Sequence, residues 1–199
     1  MNQAFPLLDK LRRGTADLHE ALHEHPLLYP LQNEGITQEH FGVILQASHA
    51  AYSVMEAALD YSSSLAPLSR FPDTDVLTLL QSDLARHSVS PCPVPAIDYP
   101  AVDTISKLAG YLYVKEGSSL GGQIISRNLE RHLGLRPGED QRFFAGYGRE
   151  TASRWRHFLA LLRADAAEVD ADEAMEQARA SFLAVHASCD YVASRAGVD

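Results

Sequence analysis

Four glycines fall inside a stretch that otherwise reads as one helix. Between Gly110 and Arg127 the chain runs GYLYVKEGSSLGGQIISR. Apolar residues before it (Ile105, Leu108, Leu112, Val114) and after it (Ile124, Ile125, Leu129) keep helical spacing, and no proline interrupts. Yet Gly110, Gly117, Gly121 and Gly122 lie within, with Ser118 and Ser119 between them. Each interior glycine costs a helix about 1 kcal/mol relative to alanine. A sequence that keeps four draws a compensating gain from elsewhere. Gly117 and Gly121 are one turn apart, and Ser118 and Gly122 form the adjacent row. One side of this helix is nearly bare backbone, which a flat group or a second helix can approach closely. The helix can also bend there. Lys115, Glu116 and Arg127 argue against a dimer face inside a membrane.

The 199 residues form one expected domain, spanning 1–199 and long enough for a full core without staples. No apolar run approaches the roughly 20 residues of a membrane span. The N-terminal MNQAFPLLDKLRR lacks the charged-then-apolar pattern of a signal peptide. Cys92 and Cys189 sit in unlike contexts, so a reducing cytoplasm is the simpler expectation than a disulfide. A formal net charge of −9 argues against nucleic acid as a partner.

Along the chain, the spacing of Leu8, Leu11, Thr15, Leu18 and Leu22 predicts a helix over about 4–25, ended by Pro26. Thr37 is the expected N-cap of a helix reaching about Ser62. A shorter helix is expected over about 73–87. The four prolines between Val89 and Pro100 predict an extended connector. The glycine-bearing helix is expected over about 101–133, with Gly134 and Pro137–Gly138 turning the chain. Two further helices are expected, over about 139–163 and 172–195. No alternating strand pattern and no repeat is present. The expected fold class is all-α, with six or so helices around one core.

His19–Glu20–Ala21–Leu22–His23 matches the H-E-x-x-H pattern of zinc hydrolases. Pro26 ends the helix soon after, no third ligand follows at a suitable spacing, and no edge strand is visible to hold a peptide. Two solvated histidines are the plainer reading. A third reading is a single axial ligand for haem. His19 borders the apolar stripe, and Arg12, seven residues earlier, lies about 10 Å away along the same side. A neutral imidazole for iron and a guanidinium for a carboxylate suit haem. A porphyrin could then lie between the histidine helix and the bare-backbone helix.

At these residues the chain resembles the haem oxygenase family. Tyr113–Leu129, YVKEGSSLGGQIISRNL, resembles the family's kinked distal helix, above all in bacterial members, including those that supply biliverdin to phytochromes. Leu11–His19, LRRGTADLH, resembles the segment ending in the proximal histidine. The resemblance implies an all-α, single-domain bundle with haem between an N-terminal helix and a kinked glycine-rich helix. It implies haem as substrate and cofactor, O2, and an external electron donor, whether a ferredoxin, a reductase or a small reductant. The implied reaction opens haem to biliverdin, CO and ferrous iron, and a phytochrome is an implied receiver of biliverdin.

By the same resemblance His19 is the iron ligand, and Gly117, Gly121 and Gly122 are the distal glycines. Arg12 and Arg156 are propionate partners, with Arg154 or Arg149 as substitutes for the second. Tyr111 and Tyr113 lie near, without aligning with, a family tyrosine that contacts a propionate, and Phe182 resembles an aromatic lining the pocket. Two positions depart from the pattern. Ser118 stands where mammalian-type members have an aspartate that orders distal water, so Arg127 or Gln123 is an expected stand-in. His23 stands where many members carry a glutamate that orients the proximal ring, leaving Glu20 or Glu24 as substitutes. These departures keep a non-catalytic haem-binding carrier or sensor on the same fold as the alternative. A thiaminase-like hydrolase would need a nucleophilic cysteine in the pocket, and Cys189 reads as core.

Overall fold

The computed structural model describes residues 5–59, 68, 71 and 75–198. Among the described residues there is no strand, only two isolated bridges, Leu59 with Val102 and Pro137 with Gln141. The helices are α1 (Pro6–Gly14), α2 (Ala16–Glu24), α3 (Gln38–Ala57), α4 (Val76–Arg86), α5 (Ile105–Leu133), the single-turn α6 (Arg142–Ala145), α7 (Thr151–Ala164) and α8 (Ala171–Ala196).

Side chains set the starts of α3, α4, α5 and α8. Thr37, Asp75 and Thr104 accept from the backbone N–H three residues on. Asp170 accepts from the N–H groups of both Asp172 and Glu173. These bonds satisfy donors that the first helical turn leaves unpaired. Gly134 ends α5 in the left-handed region at φ 69°, where glycine carries no Cβ penalty.

Helix α8 is the central strut, touching α1, α2, α3 and α5. The core beneath it includes the fully buried Leu11, Phe41, Leu45, Tyr111, Leu129 and Phe158. Helices α8 and α5 cross tightly at Gly110, where an added Cβ would lie 2.1 Å from the Ala174 carbonyl oxygen. Backbone cannot move aside as a flexible side chain can. Gly110→Ala is therefore expected to destabilise the fold by about 3 kcal/mol, lowering the melting temperature by about 6–12 °C. Thermal unfolding followed by circular dichroism checks this, and an unchanged melt would show that the crossing can relax.

The structure corrects several expected boundaries. The single helix over 4–25 is two, α1 and α2, broken at Thr15 (φ −118°, ψ 0°). Arg179 on α8 explains the break: its guanidinium takes the Gly14 carbonyl and pairs with Asp17. The helix expected over 139–163 is also two, because Gly146 (φ 51°) and Gly148 (φ 54°) turn the chain between α6 and α7. Helix α3 ends at Ala57 rather than near Ser62, whose position lies outside the described residues, as does Asp73. The glycine helix begins at Ile105, where Thr104 caps it, and runs unbroken through all four glycines.

The turn at α6 is anchored from below. Asp83, fully buried on α4, accepts from the backbone N–H of Arg142 and of Phe143, each at 2.9 Å. Burial pushes its carboxyl above the ordinary value, and those two backbone bonds oppose the rise. Asp140 just ahead is held well below the usual carboxylate range by hydrogen bonds from Arg136 and Arg86. Together they fix the segment that carries Phe143 and Phe144.

Candidate functional site

A cavity of about 440 Å³ lies between α2, α3, α5 and α8, with Phe143 of α6 and Trp155 of α7 completing its wall. That size falls within the roughly 300–1,000 Å³ of small-molecule sites. Arg12, His19, Tyr113, Gly117, Ser118, Gly121, Gly122 and Phe182 all line it. Residues expected from separate motifs, about a hundred positions apart, thus share one space.

Arg156 does not line it. The residue is exposed on α7, while Trp155, about 100° round the helix, faces inward. The two substitutes fare no better. Arg149 is exposed off the wall, and Arg154 is tied by its guanidinium to Glu116 (2.9 Å) and lies over the rings of Tyr147 and Phe71.

On the α2 side, His19 meets the edge of Phe182 (centroids 6.0 Å) and the ring of His23 (centroids 4.5 Å). Burial lowers its pKa below the ordinary imidazole value, and the neighbouring His23 adds to the shift. A neutral ring nitrogen is what a metal ion requires. Gln32, from the turn Tyr29–Gln32, places its amide nitrogen 2.7 Å from His23 Nδ1. Glu20 and Glu24 are exposed and off the wall, so the ring beside His19 is an imidazole and not a carboxylate. This also removes the base that a zinc hydrolase would need.

On the α5 side the glycines divide into two pairs. Gly110 and Gly122 serve packing, since a Cβ at Gly122 would sit 3.0 Å from the Phe144 carbonyl oxygen. Gly117 and Gly121 do not. A Cβ at Gly117 would make ordinary contact with Trp155 at 3.7 Å, and one at Gly121 would meet nothing within 4 Å. Protein packing therefore explains Gly110 and Gly122, the latter also bordering the cavity, and Gly117 and Gly121 are left for a ligand.

Beside them lies a polar cluster that the sequence reading missed. The Ser118 hydroxyl donates to the Lys115 carbonyl at 2.8 Å and lies 3.5 Å from the Tyr52 hydroxyl. Lys115, 5% exposed, reaches Glu56 at 2.9 Å, and the Tyr111 hydroxyl donates to the same carboxylate oxygen at 2.6 Å. Burial raises the pKa of Tyr52, which keeps the phenol protonated at neutral pH. The stand-ins expected for the missing aspartate are otherwise placed: Gln123 donates to the Ala145 carbonyl, and Arg127 is exposed off the wall. The signal was present in Lys115–Glu116, a charged pair inside an apolar and glycine-rich run.

Comparisons with known proteins place the chain in a family and match its fold. Residues 5–188 match the family model described as heme oxygenase. No curated protein sequence matches the chain. Among solved structures, the heme oxygenase of Leptospira interrogans superposes with a TM-score of 0.70 at 19% identity, over 94% of this chain and 100% of that one. The heme oxygenase of Neisseria meningitidis gives 0.67 at 17%, over 98% and 94%. Heme oxygenase-1 of Synechocystis, solved in complex with heme, gives 0.62 at 18%, over 96% and 94%.

Proposed function

The chain belongs to the haem oxygenase family, and on that premise we propose that its cavity takes haem and opens it with O2 and external electrons to biliverdin, CO and ferrous iron. The observation that carries this reading is the pairing of a neutral His19 with the bare Gly117–Gly121 backbone around one largely apolar cavity. The residues fit the group. A flat macrocycle needs an apolar slot, one nitrogen ligand and room against backbone, and all three are present.

When bound, haem supplies the iron at which O2 is activated, as cofactors do generally. The chain supplies the rest. His19, whose lowered pKa favours the uncharged ring, would hold the iron through a ring nitrogen. Arg12 is exposed at the cavity wall, and no ion pair claims it among the described residues, so it can meet a propionate. Tyr113 and Phe182 bound the slot. A role for Arg156 requires its side chain to reach round α7 to the rim.

Proton supply falls to the cluster beside Ser118. The Tyr52 phenol stays protonated and touches the Ser118 hydroxyl, with the Lys115–Glu56 pair behind it. Titratable groups one step from the glycines favour turnover over the carrier or sensor reading. Tyr52→Phe keeps the ring but removes the hydroxyl. It is expected to slow ring opening by about 100-fold with haem affinity nearly unchanged. Single-turnover spectroscopy checks this, and an unaltered rate would remove Tyr52 from the proton path.

The electrons come from a ferredoxin, a reductase or a small reductant. A bacterial phytochrome is the proposed receiver of biliverdin, supported by the resemblance of Tyr113–Leu129. No helix among the described residues is long and apolar enough to cross a membrane. Both cysteines are free thiols, which suits a cytoplasmic setting. Trapping of released CO tests turnover separately from binding: one CO for each haem consumed supports the oxygenase, and haem bound without CO supports the carrier.

A further inference from the structure

Beyond the cavity, the C-terminal end of α2 and the later part of α8 bring two imidazoles and a carboxylate together. His25 Nε2 lies 3.1 Å from Asp190 Oδ1, and His186 Nδ1 lies 3.0 Å from Asp190 Oδ2. The two rings meet edge to face with centroids 4.9 Å apart. One ligand atom from each residue falls within 4.8 Å of the others, and no other such group occurs among the described residues. His186 and Asp190 are one turn apart on α8 and share a face. His25 is buried and comes from a different element, so tertiary structure builds the set. Two nitrogens and one oxygen suit divalent first-row ions, and the exposed side of Asp190 leaves room for water as a further ligand.

We propose that His25, His186 and Asp190 form a site for a divalent transition-metal ion, separate from the haem cavity, with ferrous iron as its occupant. Val185, next to His186 in sequence, lines the cavity, so one stretch of α8 carries residues of both sites. The choice of ferrous iron rests on the oxygenase reading; the donor set does not.

The hydrogen bonding of His25 sets the affinity. The Leu27 N–H donates to His25 Nδ1 at 3.1 Å, so in the metal-free protein the ring proton sits on Nε2, directed at Asp190. A metal on Nε2 displaces that proton, and the neutral ring then carries its hydrogen on Nδ1, facing Leu27 N–H. A metal-bound histidine is usually supported by donating from its far nitrogen, and lack of that support weakens binding by about 10–100-fold. The site is therefore an exchangeable one, unlike a structural zinc centre.

Calorimetric titration of the haem-free protein with zinc chloride, and with ferrous sulfate under argon, tests the proposal. One ion per chain is expected with either metal. Asp190→Asn and His186→Ala should each weaken binding about tenfold or more. Asp190 and His186 are partly exposed, so both variants should keep the fold, which circular dichroism verifies. His19→Ala and His23→Ala should leave the affinity within about twofold. Absence of binding overturns the site. So does binding that survives Asp190→Asn and His186→Ala but is lost with His19→Ala, which would assign the ion to the cavity histidines. Zinc bound without ferrous iron overturns the occupant. Because no haem is present, a negative result leaves the oxygenase reading standing, and failed turnover leaves the ion site standing.

Discussion

Replacing His19 by alanine is expected to abolish turnover and to weaken haem binding by about 100-fold or more. Losing a partner that merely supports a ligand costs about 10–100-fold in metal affinity, and losing the ligand itself costs more. The fold should survive. Helix α2 buries no residue completely, and His19 faces the cavity wall and not the core. Added imidazole should partly restore the Soret band, because the alanine variant leaves room for a free ligand of the same chemistry. A variant that binds and opens haem at the normal rate would remove His19 from the iron.

Gly121→Leu should move stability and binding in opposite directions. A Cβ at Gly121 meets nothing within 4 Å, so the substitution has space in the haem-free protein. Leucine also favours the helix over glycine by somewhat under 1 kcal/mol, so the haem-free melting temperature should stay the same or rise slightly. The same side chain projects into the cavity of about 440 Å³. Haem affinity should fall at least about tenfold, equivalent to about 1.4 kcal/mol, and turnover with it. Gly110→Ala is the contrasting case, because its Cβ would strike the Ala174 carbonyl in every state of the protein. If Gly121→Leu melts early instead, packing and not the ligand requires that glycine. Normal affinity and turnover in a stable variant would refute the close-approach argument.

These contrasts show what was legible in the sequence. Helical periodicity identified an all-helical fold, because apolar spacing records which side of each helix is buried. His19, Arg12 and the glycine pair do line one cavity, although the single helix expected to carry Arg12 and His19 is broken between them at Thr15. The breaks at Thr15 and at Gly146–Gly148 were harder to read. Arg179 holds the first from 165 positions away in sequence, which no local pattern reports. The second was visible as two close glycines but was overridden by the apolar run around Phe158. The same limit hid the distal cluster. Glu56, Lys115 and Tyr111 meet only when α3 and α5 are both packed against α8, and a buried ion pair looks in sequence like two ordinary surface charges. Arg156 lies off the cavity wall for a simpler geometric reason: a shift of one residue along a helix turns a side chain by about 100°.

The most direct test of the central claim is an absorbance titration of the purified protein with hemin, followed by ascorbate in air. The account predicts a sharp Soret transition at one hemin per chain, then its decay into the broad bands of biliverdin. A protein that binds no hemin, or whose Soret band persists with every reductant supplied, would contradict it.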